Sequence, residues 1–171
     1  HLADLIPALD GLIITFAGTG TAGYTGDGGL AALARLRSPE GVELASNGDL
    51  YIADTANHAI RRVAALTGVI STIAGTGAAG YPRDGGLATA ALLNGPESVT
   101  VSGSDLYVAD RGNNVIRRFA VGGTISTIAG TGTAGYSGDG GSATAARLNG
   151  PPGIALDPSG QILSPGTAKQ G

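Results

Sequence analysis

Apolar positions along this chain fall in brief runs of β-branched and aliphatic residues, with Gly, Asn, Asp and Ser separating one run from the next. Between Ser98 and Ala129 the runs predict four short strands, roughly Ser98 to Val101, Leu106 to Ala109, Val115 to Phe119 and Thr124 to Ala129. Strands this short and this close in sequence pair as a meander. Ahead of the first lies an alanine-rich stretch, Leu87 to Leu93, which can form about two turns of helix, with Asp84 placed to accept from the exposed amides at its start.

The pattern recurs. Ile14 to Gly29 reads ITFAGTGTAGYTGDGG, Ser71 to Gly86 reads STIAGTGAAGYPRDGG and Ser126 to Gly141 reads STIAGTGTAGYSGDGG, with Tyr24, Tyr81 and Tyr136 marking the period. An alanine-rich link follows each, and then GVELASNGDLYIADTANHAIRRV from Gly41 or SVTVSGSDLYVADRGNNVIRRF from Ser98. A third copy opens as GIALDPSGQIL from Gly153 and then departs. Four-stranded meanders at such a period are propeller blades. The expected fold is therefore all-β, about three blade equivalents of four antiparallel strands joined by short alanine-rich helical links.

Composition narrows what such blades can do. With 31 glycines and aromatics at only 4%, the core must come from alanine and aliphatic side chains in closely spaced layers. A net charge of −3 argues against nucleic-acid binding, which needs a basic stripe to displace counterions from phosphates. The absence of cysteine excludes disulfides and thiolate chemistry. No run is long enough to span a membrane as a helix. Methionine is also absent and the chain opens at His1, so the expectation is a processed form or a piece of something longer.

The segment Leu50 to Val63, LYIADTANHAIRRV, resembles the core of an NHL repeat, in which an aliphatic and tyrosine strand runs through Asp and Asn-His to an Arg-rich strand. Asn114 replaces the histidine in the next copy, and the last copy loses the motif in SPGTAKQG from Ser164. The resemblance implies a propeller used for binding or assembly, and by family habit an extracellular or periplasmic setting. It also keeps a rival open, that of a fragment of a larger NHL-type enzyme or ligand-binding propeller.

His1 to Phe16 aligns with His58 to Ile73, so the expected organisation is a half blade plus link over 1–40, blades over 41–95 and 96–150, and a trailing half blade over 151–171. The halves are complementary, and three blades are too few to close a ring. Self-association through unpaired edges is the expectation, as a ring or as a filament.

Several motifs invite sharper readings. Gly18 to Gly23, Gly75 to Gly80 and Gly130 to Gly135 fit G-x-G-x-x-G, but each is followed by Tyr-x-x-Asp-Gly-Gly instead of a helix, so turns are expected and no nucleotide cofactor. One carboxylate per loop at Asp27, Asp84 and Asp139 is too few for calcium. Asp54, Asn57 and His58, and Asp110, Asn113 and Asn114, fall at the turn between second and third strands, where their side chains can bond nearby amides or line a rim that meets a ligand or protein partner. Of Arg61-Arg62 and Arg117-Arg118, one member faces solvent and the other meets an acid or joins that rim, because strand neighbours alternate faces. His58 has neither the ligand set for zinc nor a serine elbow, so neither a metal nor a catalytic residue is expected.

Overall fold

The computed structural model describes residues 14–81, 83–157 and 161–164. Strands β1 (Gly41–Leu44), β2 (Leu50–Asp54), β3 (Ala59–Val63) and β4 (Ile70–Ala74) pair in sequence order as one antiparallel sheet. Strands β5 (Pro96–Ser102), β6 (Asp105–Asp110), β7 (Val115–Ala120) and β8 (Ser126–Ala129) form a second sheet of the same order. The third copy contributes the hairpin β9 (Ala155–Leu156) and β10 (Ile162–Leu163). The leading half blade expected over His1 to Phe16 lies outside the described residues except for its last three positions, which form no strand.

The core is the seam between the two sheets. Tyr51 and Ala53 of β2 meet Val99 of β5, Leu106 and Val108 of β6 and Phe119 of β7, all buried. Small residues let the layers close up, as the glycine content requires: a Cβ on Gly41 would stand 2.5 Å from the Glu97 carbonyl oxygen. A second cluster, Ala31, Ala34, Ile52, Val63 and Ile70, lies beneath the first link.

The links correct one expectation. Instead of two helical turns over Leu87 to Leu93, there is a single 3-10 turn at Ala88–Ala90, matched by Ala31–Leu33 and Ala143–Ala145, and no side chain caps any of them. Helix propensity loses here to tertiary pairing. The Gly28 amide donates to the Ile70 carbonyl, the Ile70 amide to Gly29 and the Ala31 amide to Gly68, so the first link runs along the outer edge of β4. The second link does the same, through Gly85, Gly86 and Ala88 with Ile125 and Gly123. An otherwise bare edge strand is thereby partly covered.

Candidate functional site

The turn from β2 to β3 is a 3-10 turn at Thr55–Asn57 that ends on His58 in the left-handed region, φ 51°. Arg111–Asn113 and Asn114, φ 55°, repeat it between β6 and β7. Asn and His are among the side chains that tolerate this conformation best.

Asp54, at the end of β2, is fully buried. Its Oδ1 accepts from the Arg37 amide at 2.7 Å, and its Oδ2 accepts from Asn57 Nδ2 at 2.9 Å and Arg61 Nη1 at 3.2 Å. Asn57 Nδ2 also donates to the Gly23 carbonyl at 2.7 Å. Arg61, equally buried, reaches past Asp54 into the link, where Nη2 donates to Asp27 Oδ1 at 2.5 Å and to the Thr25 carbonyl at 3.3 Å. The Tyr24 ring centroid lies 5.2 Å from its Cζ, within cation–π range. Asp27 Oδ2 accepts the Thr72 amide of β4. One arginine thus ties β2, β3, β4 and the link together, and Asp84, expected to cap a helix in the next link, likewise serves a guanidinium, that of Arg117.

The second repeat builds the same cluster with gaps. Asp110 accepts from the Asn94 amide at 2.7 Å and from Asn113 Nδ2 at 2.8 Å. Arg117 does not reach it. Its Nη2 pairs with Asp84 at 2.9 Å and donates to the Arg83 carbonyl at 3.3 Å, while Nε and Nη1 have no hydrogen-bond partner. Burial pushes the Asp110 carboxyl up to about 6, against the pull of Asn113, Asn94 and Arg117. Burial likewise lowers Arg117 from its ordinary value.

The remaining rim residues join neighbouring repeats. His58 Nδ1 accepts the Gly95 amide at 3.0 Å, and Asn114 Oδ1 accepts the Gly150 amide at 2.9 Å. The replacement of histidine by asparagine keeps an acceptor aimed at the same backbone donor. Of the eight candidates, Asp54, Asn57, Arg61, Asp110, Asn113 and Arg117 are turned inward and buried, and only His58 and Asn114 are partly exposed. Of the two arginine pairs, Arg62 and Arg118 are the members turned toward solvent.

Asp49 did not stand out in the sequence, and Tyr24 did so only as a marker of the period. Burial pushes the Asp49 carboxyl up, but the Ala65 amide and the Arg62 guanidinium outweigh it and hold it below its ordinary value. Asp49 stands beside an open cavity of about 360 Å³ between the β1–β2 and β5–β6 turns, lined also by Tyr51 and Ser104. The run Asn47-Gly-Asp49 signalled a hairpin turn but not that its acid would be buried. Among the described residues no group of three or more His, Cys, Asp or Glu could hold a metal ion, and no helix is long and apolar enough to cross a membrane.

Consecutive four-stranded antiparallel meanders, stacked face to face and stapled by a buried Asp–Asn–Arg cluster, are blades of a β-propeller. The NHL repeat pattern matches residues 36–63, which hold β1 to β3 with Asp54, Asn57 and Arg61, so this segment is an NHL repeat. It is 36% identical over 89 residues to Protein SUPPRESSOR OF QUENCHING 1, chloroplastic, of Arabidopsis thaliana, covering 52% of this chain and 8% of that protein. It is 38% identical over 58 residues to NHL repeat-containing protein 2 of Bos taurus, covering 34% of this chain and 8% of that one. The chain therefore spans less than a tenth of the length of these relatives. Among solved structures, an auxiliary nutrient binding protein from Bacteroides thetaiotaomicron superimposes with a TM-score of 0.56 at 26% identity over 69% of this chain and 32% of its own. A structural genomics protein of unknown function from the same organism gives 0.59 at 23% identity, over 68% and 29%.

Proposed function

We propose that this chain is a non-catalytic interaction module of NHL repeats, which works by assembling with protein surfaces, other copies of itself included. The observation that carries this reading is the use of the polar motif: Asp54, Asn57 and both terminal nitrogens of Arg61 bond to one another and to Asp27, Gly23 and Arg37 within the blade, and only the buried Arg61 Nε is left without a partner. A cluster closed in this way holds strands together and leaves little for a substrate. The exposed aliphatic side chains Val42 and Leu44 of β1 and Leu163 of β10 support contact with another protein surface, in a ring or a filament of copies. Likeness to a bacterial nutrient binding protein supports a setting outside a bacterial cell. The rival reading, a segment of a larger propeller that binds a ligand or acts as an enzyme, draws on the small share of the relatives that the chain spans.

The two are separated by assaying the chain against ester, phosphoester and lyase-type substrates with and without divalent metals. No turnover above buffer is expected. Turnover that disappears on His58→Ala at an unchanged melting temperature would overturn the non-catalytic reading, because His58 is the one imidazole among the described residues.

A further inference from the structure

Within the chain, the sheets meet by one rule. Gly41, Glu43, Tyr51 and Ala53 share a face of the first sheet, as the pairings Gly41↔Ala53 and Glu43↔Tyr51 require, and this face receives the second sheet. The second sheet offers Val99 and Val101, paired with Val108 and Leu106. Val99 is 4% exposed, and Val101 is packed against the same core.

Val42 and Leu44 are the counterparts of Val99 and Val101 in the first repeat, by their pairing with Ile52 and Leu50. They are 65% and 69% exposed. The outer half of their face is covered by Ala31 and Ala34 of the link, while the inner half is open. At the other end, GIALDPSGQIL aligns without a gap on GVELASNGDLY, so Gly153, Ala155 and Leu163 stand where Gly41, Glu43 and Tyr51 stand. The pairing Leu163↔Ala155 reproduces Tyr51↔Glu43. Ala155 is exposed, and Leu163 is 55% exposed. Gly153 keeps the glycine that lets β5 approach β1, yet among the described residues no atom lies within 4 Å of a Cβ built there, whereas at Gly41 the neighbour stands at 2.5 Å.

We propose that a second copy of this chain docks its Val42–Leu44 face on the Gly153–Ala155–Leu163 face, continuing between molecules the seam that Tyr51 and Val99 make within one. The contact is heterologous: each molecule offers both faces, at opposite ends, so association runs head to tail. Both faces are apolar, and covering them removes exposed aliphatic surface from water. The proposal rests on the reading of the chain as an interaction module and names the surface. Turnover would overturn that reading and leave the association standing, whereas a monomer would overturn this proposal and leave the module reading standing.

The test uses the full chain and two variants, Leu44→Glu on one face and Gly153→Val on the other, each checked for an unchanged circular dichroism spectrum. Leu44 is exposed, and a Cβ at Gly153 meets no atom of the described residues, so both variants are expected to keep the fold. Sedimentation velocity over a wide concentration range is expected to show the unaltered chain rising above 16.6 kDa, and each variant weakened at least about tenfold in self-association. An equimolar mixture of the variants retains one intact face of each kind and forms a dimer that grows no further. An unaltered chain fixed at 16.6 kDa, variants that associate like it, or a mixture that stays monomeric each overturns the proposal.

Discussion

In the first repeat Gly26, φ 100°, sits where a Cβ would lie 2.7 Å from the Ala34 Cα, and the link closes through the bridge Thr25↔Arg35. Gly138 and Ser137↔Arg147 repeat that closure in the third. The second repeat carries Arg83 at the glycine position, and its link pairs through Ala79↔Leu93 in a parallel bridge instead. The consequences reach the core. Tyr24 lies over Arg61 and shares a 3.0 Å hydrogen bond with Thr72, whereas Tyr81 is 65% exposed and donates to the Thr131 carbonyl at 3.4 Å. Arg61 reaches both of its acids, and Arg117 reaches one. A buried charge is tolerated when every partner is in place. Between the tyrosine and the aspartate the two links differ at both positions, Thr25-Gly26 against Pro82-Arg83, and a proline has no amide to repeat the bond from Thr25 to the Arg35 carbonyl. A change of two residues in a surface link thus goes with a less satisfied staple beneath it.

The largest test of this contrast is removal of each arginine. Arg61→Ala leaves Asp54 buried without its cation and is expected to cost about 3–5 kcal/mol, read from the urea midpoint. Arg117→Ala removes the one direct ion pair, with the half-exposed Asp84, and only a through-space pull on Asp110, and is expected to cost at least about 1 kcal/mol less. Equal losses would break the comparison.

Acidity gives the next. Asp110 is raised by burial to about 6 from 3.8. Because the folded value lies above the unfolded one, its contribution to stability is fully present below about pH 4 and is lost as pH rises through 6, amounting to about 3 kcal/mol. Carboxyl-carbon NMR of Asp110 should show a midpoint near 6. A midpoint in the ordinary aspartate range would mean that the second staple is as well satisfied as its hydrogen bonds alone suggest.

The smallest expected effect imports the difference. Gly26→Arg places a side chain against Ala34 at a left-handed φ and should open the first link, lowering stability by about 1–3 kcal/mol. Tyr24 would leave the guanidinium and become more accessible to a fluorescence quencher. A variant with Tyr24 still shielded would show that the link and the stack are independent.

The period and strands were legible because each repeat states its alternation plainly: β6 and β7 match the expected Leu106 to Ala109 and Val115 to Phe119 to within one residue at each end. The place of the Asp54–Asn57 turn was legible for the same reason, but not its partners: Asp54 takes the Arg37 amide and Asn57 the Gly23 carbonyl, both far away in sequence, where nearby amides were expected. The state of the link was not. Alanine content speaks for helix, but Ala88 and Ala91 are held by the sheet they cover, a contact between residues far apart in sequence. Alternation showed that one arginine of each pair turns inward but not which, because a register shift between Ile60 and Arg61 breaks the simple period at that point. The role of His58 was hinted at by Asn114, since two side chains with an acceptor and a tolerance for left-handed backbone occupy one place.

The way each link lies along the outer strand of the sheet that follows it redraws the cassette that gene duplication could copy. A segment cut at 41–95 keeps Leu87 to Leu93, which belongs to the next sheet, and discards Tyr24, Asp27 and the Leu30↔Val69 bridge that fasten its own. A segment from Tyr24 to Ala74 carries the strands, the staple and the edge cover together. Shuffled or lengthened arrays spliced at the glycines that follow Ala74 and Ala129 would move every blade with its fastening intact, whereas splicing at the first strand would leave each one unlatched.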